Sequence, residues 1–242
     1  MGRSGRAAAY GGRVSRHRRW AWMRDQALDG QALDRDDPLW PGQLATFAAL
    51  LLYLALPRAL TIGPGWPLPV ALAAALLALV VAARGGREIR QRRMLAIGLV
   101  LVAALVNLVS LGLLVHYLLV GGTARGEDLI SGGALIWSTN LLLFAVLLWE
   151  LDRGGPRRST DAPASVAPDL LFPQMTDERY APAGWAPSFA DYLYVSLTNQ
   201  TAFSPTDTMP LTLRMKALMG VQGLAALVTT CVVIARAVNI LG

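Results

Sequence analysis

Five long apolar runs, each free of charge, are separated by short charged or Gly/Pro-rich segments along this chain. Residues that are apolar on every helical face need lipid or a dense core around them, so each run predicts a buried or membrane-spanning helix. The first runs from Leu39 to Pro57, with Trp40 at one boundary and Arg58 beyond the other. A turn, Gly63-Pro64-Gly65-Trp66-Pro67, precedes the second, Leu68 to Ala83, whose alanine-rich surface suits close helix packing. The third begins at Met94 and stays uncharged to Ala124, with Met94 to Val120 apolar enough to be helical. It exceeds the ~20 residues a crossing requires, so tilt or protrusion is expected. Leu129 to Trp149 forms the fourth run and Ala217 to Ala235 the last. Between them, Ser188 to Phe203 has a helical pattern but is rich in polar residues. It is either a sixth crossing or a re-entrant element, and a crossing requires no irregular backbone in the bilayer. The fold expected is therefore an all-α polytopic transmembrane bundle, with five spans plus one polar spanning or re-entrant helix.

Composition agrees with that reading: the 242 residues are 54% hydrophobic and 16% charged. Residues 1–37 form a basic tail with eight arginines, and residues 38–149 carry the first four spans. Residues 150–187 hold prolines at 156, 163, 168, 173, 182 and 187, which exclude a long helix. An extended loop is expected there, resting on the membrane surface through Leu170, Leu171 and Phe172. Residues 188–242 supply the polar helix, a turn and the last span. The first apolar run starts too late for a secretory leader. Trp20 and Trp22 among the tail's arginines predict either an interfacial helix against anionic lipid headgroups or a disordered basic tail. Neither requires a nucleic-acid partner, and none is expected. Arginine-rich segments face the cytoplasm. The tail, the Arg84–Arg93 turn and the long loop are thus expected inside, with the Trp66 and Arg125 turns outside, in a bacterial cytoplasmic membrane.

Little chemistry is available for catalysis. Cys231 is the only cysteine, and His17 and His116 are the only histidines, so no thiolate or imidazole cluster can form. No glycine-rich nucleotide loop or nucleophile elbow is present, and no cofactor is expected. Asn107 and Asn140, in the middle of the third and fourth spans, predict interhelical hydrogen bonds or the lining of a polar path. His116 and Asp191 are further polar candidates, each expected near an interface.

The densest signal is DYLYVSLTNQTAFSPTDTMP, from Asp191 to Pro210. This stretch resembles the pore helix and filter region of the potassium-channel superfamily. Thr198 and Thr201 fall on that family's threonines, Ala202 and Phe203 on the filter's valine and first glycine, and Ser204 and Pro205 on the next two positions. Asp207 and Pro210 match the later aspartate and proline. Neither filter glycine is kept, Phe203 adds bulk and Pro205 removes a donor, so the filter resembled is a degenerate one. The resemblance implies a polar path lined by Thr198, Asn199, Gln200, Thr201, Phe203, Ser204 and Asp207, with a monovalent cation as the possible solute. The chain as a whole resembles an uncharacterised bacterial family of predicted integral membrane proteins, and its Gly/Ala/Arg usage looks actinobacterial.

Two functions follow as expectations: a channel-like or transport-related protein, or a non-catalytic membrane scaffold or assembly subunit. Four consecutive polar residues, Thr198 to Thr201, cover every face of one helical turn. Because lipid satisfies none of them, self-association through the C-terminal hairpin is also expected.

Overall fold

The computed structural model describes residues 38–61, 70, 73–74, 76–77, 89–120, 125–152, 155, 168–181, 185–202 and 207–241. Five α-helices occur among them: α1 (Trp40–Leu54), α2 (Ile89–Val120), α3 (Gly126–Leu151), α4 (Phe189–Thr201) and α5 (Leu213–Leu241). The chain is a multi-pass helical membrane protein, but the expected five spans plus a sixth are not what the fold contains. Among the described residues three helices are long and apolar enough to cross a membrane, Gln91–Val120, Gly126–Leu151 and Leu213–Val238. The helix of the first predicted span has 15 residues, a length of about 22 Å against the ~30 Å of a hydrocarbon core. It ends at Leu54 because Pro57 follows, and the chain continues as a 3-10 turn, Arg58–Leu60. The second predicted span, the basic tail with its tryptophans and the Gly63–Pro67 turn lie outside the described residues, save that Val70, Ala73, Ala74, Leu76 and Leu77 are helical.

Helix α3 is the axis on which the others pack. Helix α1 and the 3-10 turn after it run antiparallel to it, from Gly42 against the Trp149 ring to Leu60 against Gly132. A Cβ at Gly42 would collide with that ring, so glycine is what allows the two helices to touch there. Helix α2 is also antiparallel, with Arg92 beside Glu150 at one end and Leu114 beside Gly133 near the other. It starts at Ile89 rather than Met94, so arginines expected in a turn form its first turns. Helix α5 likewise starts earlier than expected, at Leu213, and takes in Arg214 and Lys216. The first turns of α1, α2, α4 and α5 and the last turn of α3 therefore meet at one end of the bundle, called here the loop end.

Residues 168–181 are ordered against this end. Leu170–Leu171 (β1) pairs antiparallel with Met209–Pro210 (β2), Leu170 opposite Pro210 and Leu171 opposite Met209. Two 3-10 turns follow, Pro173–Met175 and Glu178–Tyr180. The expectation that this loop rests on lipid through its apolar residues is corrected: Leu170 and Phe172 are buried in the protein core. Phe172 stands edge-on to Tyr192 at 5.4 Å and to Trp185 at 6.0 Å.

Helix α4 is the element on which function turns. It starts at the loop end, where Phe189 meets Trp149 edge-on at 5.3 Å, and runs antiparallel to α3. Ser188 and Asp191 form a capping box, in which Asp191 Oδ2 accepts the Ser188 N–H at 2.7 Å. Its last turn lies beside Trp137, where the Gln200 amide donates to the Trp137 carbonyl at 2.8 Å. Thirteen residues reach only about 20 Å, so the predicted crossing does not occur. Residues 203–206 lie outside the described residues, and β2 pairs with β1 at the loop end. Helices α4 and α5 run parallel, both leaving the same end.

A polar hub beside a half-length helix

The end of α4 meets α3 and α5 in a cluster of amides deep within the bundle. Asn140 of α3 donates to Gln200 Oε1 at 3.1 Å and to the Gln222 carbonyl at 3.4 Å. Gln222 of α5 donates to Ser196 Oγ at 2.6 Å, to the Ser196 carbonyl at 3.1 Å and to Gln200 Oε1 at 3.3 Å. Its own Oε1 accepts from Asn199 at 3.0 Å, while Asn199 also donates to the Met219 carbonyl at 3.0 Å. Ser196 completes the set by donating to the Leu141 carbonyl at 2.8 Å. Gln200 is 1% exposed, Gln222 0% and Asn140 2%, so these bonds form where neither water nor lipid competes. Asn140 Oδ1 has no partner and leaves the hub one open acceptor.

The helical period explains which polar residues enter the hub. Ser196, Asn199 and Gln200 share the face of α4 that carries Phe189, Tyr192 and Val195, all buried. Thr198 and Thr201 fall outside it. Thr201 is exposed and donates to the Leu197 carbonyl at 2.8 Å, and Thr198 donates to the Tyr194 carbonyl at 3.1 Å. Each hydroxyl is thereby satisfied by its own helix. Of the predicted path residues, the fold brings Asn199 and Gln200 together with Asn140 and leaves the two threonines on the outer edge. Asp207 is exposed near β2, away from the hub, while Phe203 and Ser204 lie outside the described residues. Asn107 is buried but separate, donating to the Ile136 carbonyl at 3.2 Å and tying α2 to α3. His116, exposed near the far end of α2, stands edge-on to Tyr117 at 5.8 Å. Asp191 caps its own helix and takes no part. Among the described residues no group of three or more His, Cys, Asp or Glu side chains could hold a metal ion.

Sequence reasoning passed over Gln222 and Ser196. The signal for Gln222 was present: a lone amide inside an otherwise apolar span is a functional or structural marker in its own right.

A second polar cluster lies at the loop end. Arg92 and Glu150, both buried, face each other at 3.3 and 3.5 Å. Arg93 donates to the Glu150 carbonyl at 2.9 Å, and Arg214 to the Leu151 carbonyl at 3.3 Å, so two guanidinium groups cap the end of α3. Asp152 accepts the Tyr192 hydroxyl at 2.7 Å and the N–H groups of Asp169 and Leu170 at 2.8 and 3.2 Å. Asp169 pairs with Arg214. Farther out, the hydrogen bond from Arg179 lowers the Asp177 carboxyl pKa to about 2. This depressed value means that the exposed pair persists through mild acid and is lost only as pH falls through about 2.

No protein-family model, curated protein or solved structure matches this chain.

Proposed function

We propose that this protein is channel-like or transport-related, with the α4 hairpin lining a polar path for a monovalent cation. The observation that supports this reading is a helix that enters from the loop end and stops halfway along α3, while β2, eight residues after Thr201, lies at the loop end. The last carbonyls of such a helix point into the bilayer interior, where lipid satisfies none of them. They carry partial negative charge, which favours a cation near Thr201. The local likeness of residues 191–210 to a degenerate potassium-channel pore loop supports the same reading.

Self-association is part of the proposal, on a different footing. Asn199 and Gln200 are satisfied within one chain, so they supply no reason for it. The reason is the outer edge of α4, where Tyr194, Leu197 and Thr201 are exposed beside the helix end. The alternative, a non-catalytic scaffold, is favoured by the closure of the amide hub, which leaves only Asn140 Oδ1 open.

Purified protein in liposomes discriminates the two. Thr201→Trp is expected to reduce cation flux about tenfold by filling the space at the helix end. Equal leak from wild-type, variant and empty liposomes would remove conduction and leave the scaffold.

We further propose that the loop end faces the cytoplasm of a bacterial cell, since Arg92, Arg93, Arg214 and Lys216 gather there. With Cys231→Ser as background, an impermeant thiol reagent should label Gly126→Cys in intact cells and leave Tyr180→Cys unmodified. The opposite pattern would invert the orientation.

A further inference from the structure

We infer that residues 168–172 form a strap that closes the mouth of the α4 hairpin, with Asp152 and Asp169 as its fastenings. The hairpin is held at two depths. Deep in the bundle, the amide hub fixes the end of α4 to α3 and α5. At the loop end, the returning strand β2 pairs with β1 over only two residues, Leu170 opposite Pro210 and Leu171 opposite Met209. So short a two-stranded pairing does not hold itself together in water. Side chains must keep it closed, and they do so from α3, α4 and α5.

Asp152, on the end of α3, accepts the strap's N–H groups at Asp169 and Leu170 through one oxygen and the Tyr192 hydroxyl of α4 through the other. A single carboxylate therefore joins strap to helix. Asp169 turns the other way: its side chain pairs with Arg214 of α5, and its carbonyl accepts the Leu211 N–H at 2.8 Å. Leu170 is 0% exposed, and Phe172 lies against Tyr192 and Trp185. Together these contacts tie the strap to α3, α4, α5 and the chain leading into α5. The hub bonds do not involve the strap, so it can open while α4 keeps its deep seat.

The strap is tested by hydrogen exchange in detergent, which does not depend on transport. Asp152→Asn and Arg214→Gln are each expected to raise exchange together at residues 168–172 and 207–212, by at least ~tenfold, while residues 99–114 of α2 stay protected. A cysteine pair guards against simple misfolding: Leu171→Cys with Met209→Cys, in a Cys231→Ser background, places two thiols opposite each other across the ladder. Oxidation of this pair in the Asp152→Asn chain should restore protection at 207–212, and reduction should remove it. A rise confined to 168–172, or a crosslink that restores nothing, would overturn the strap. Regulation of the path rests on the transport reading and has its own readout. Flux lower in the oxidised than in the reduced pair supports a closing role, and equal non-zero flux refutes it. No flux in any form, with the exchange pattern as expected, refutes the transport reading and leaves the strap standing.

Discussion

Gln222→Leu should lower the stability of this protein by about 2–4 kcal/mol. Its amide makes three donor contacts across to α4 and accepts one from Asn199. An interhelical hydrogen bond within a membrane contributes ~0.6 kcal/mol on average and at most ~1.7. The larger part of the effect comes from what remains: the Ser196 carbonyl and Gln200 Oε1 each lose a donor in a region that offers no water. Unfolding by a denaturing detergent in mixed micelles measures this directly. The double variant with Asn199→Leu should cost less than the sum of the singles, because the two side chains share one bond. Thr198→Val, which touches only a bond within α4, should change stability by under ~0.5 kcal/mol. Equal small effects at both positions would mean that the amides do not hold α4 in place.

The second large effect belongs to the ion pair of α2 and α3. Glu150→Leu should destabilise by about 3–5 kcal/mol, since it leaves the Arg92 guanidinium buried without its counter-charge. The sign reverses when both partners go. Arg92→Met with Glu150→Leu should recover most of the loss, because desolvating two charges offsets much of their attraction. The same detergent titration, run on the two single variants and the double, gives the coupling. A double variant no more stable than Glu150→Leu alone would show that the pair is not what ties these helices together. The exposed Asp177–Arg179 pair serves as the control, and its removal should leave the midpoint where it was.

Hydropathy carried the class of the molecule because lipid imposes a demand that is local: a helix apolar on all faces can be recognised from its own residues. Where the demand was not local, the reading shifted. Arg90, Arg92 and Arg93 looked like a loop, yet a helix reaching past the hydrocarbon accepts arginines, and here Glu150, 58 positions from Arg92, neutralises one of them. Prolines between 156 and 187 argue against a long helix there, but they say nothing about where a non-helical segment packs. Leu170 and Phe172 found protein rather than lipid. The helix of the first predicted span proved short because Pro57 ends it, a limit visible in the sequence that the hydropathy of Leu39 to Pro57 outweighed.

By itself, the sequence determined that this is a helical membrane protein, and that a polar helix precedes its last span. Composition and period suffice for both, since each depends on how one segment meets its solvent. Only the tertiary structure decided that α4 stops halfway, that Asn199 and Gln200 face inward while Thr201 faces out, and that Gln222 completes their bonding. These outcomes depend on pairings between residues far apart in the chain, Leu171 with Met209 and Asn140 with Gln200. A side-chain amide is neutral in what it predicts: the same group is costly against lipid and stabilising against another amide. Which of the two it meets is settled when the helices pack.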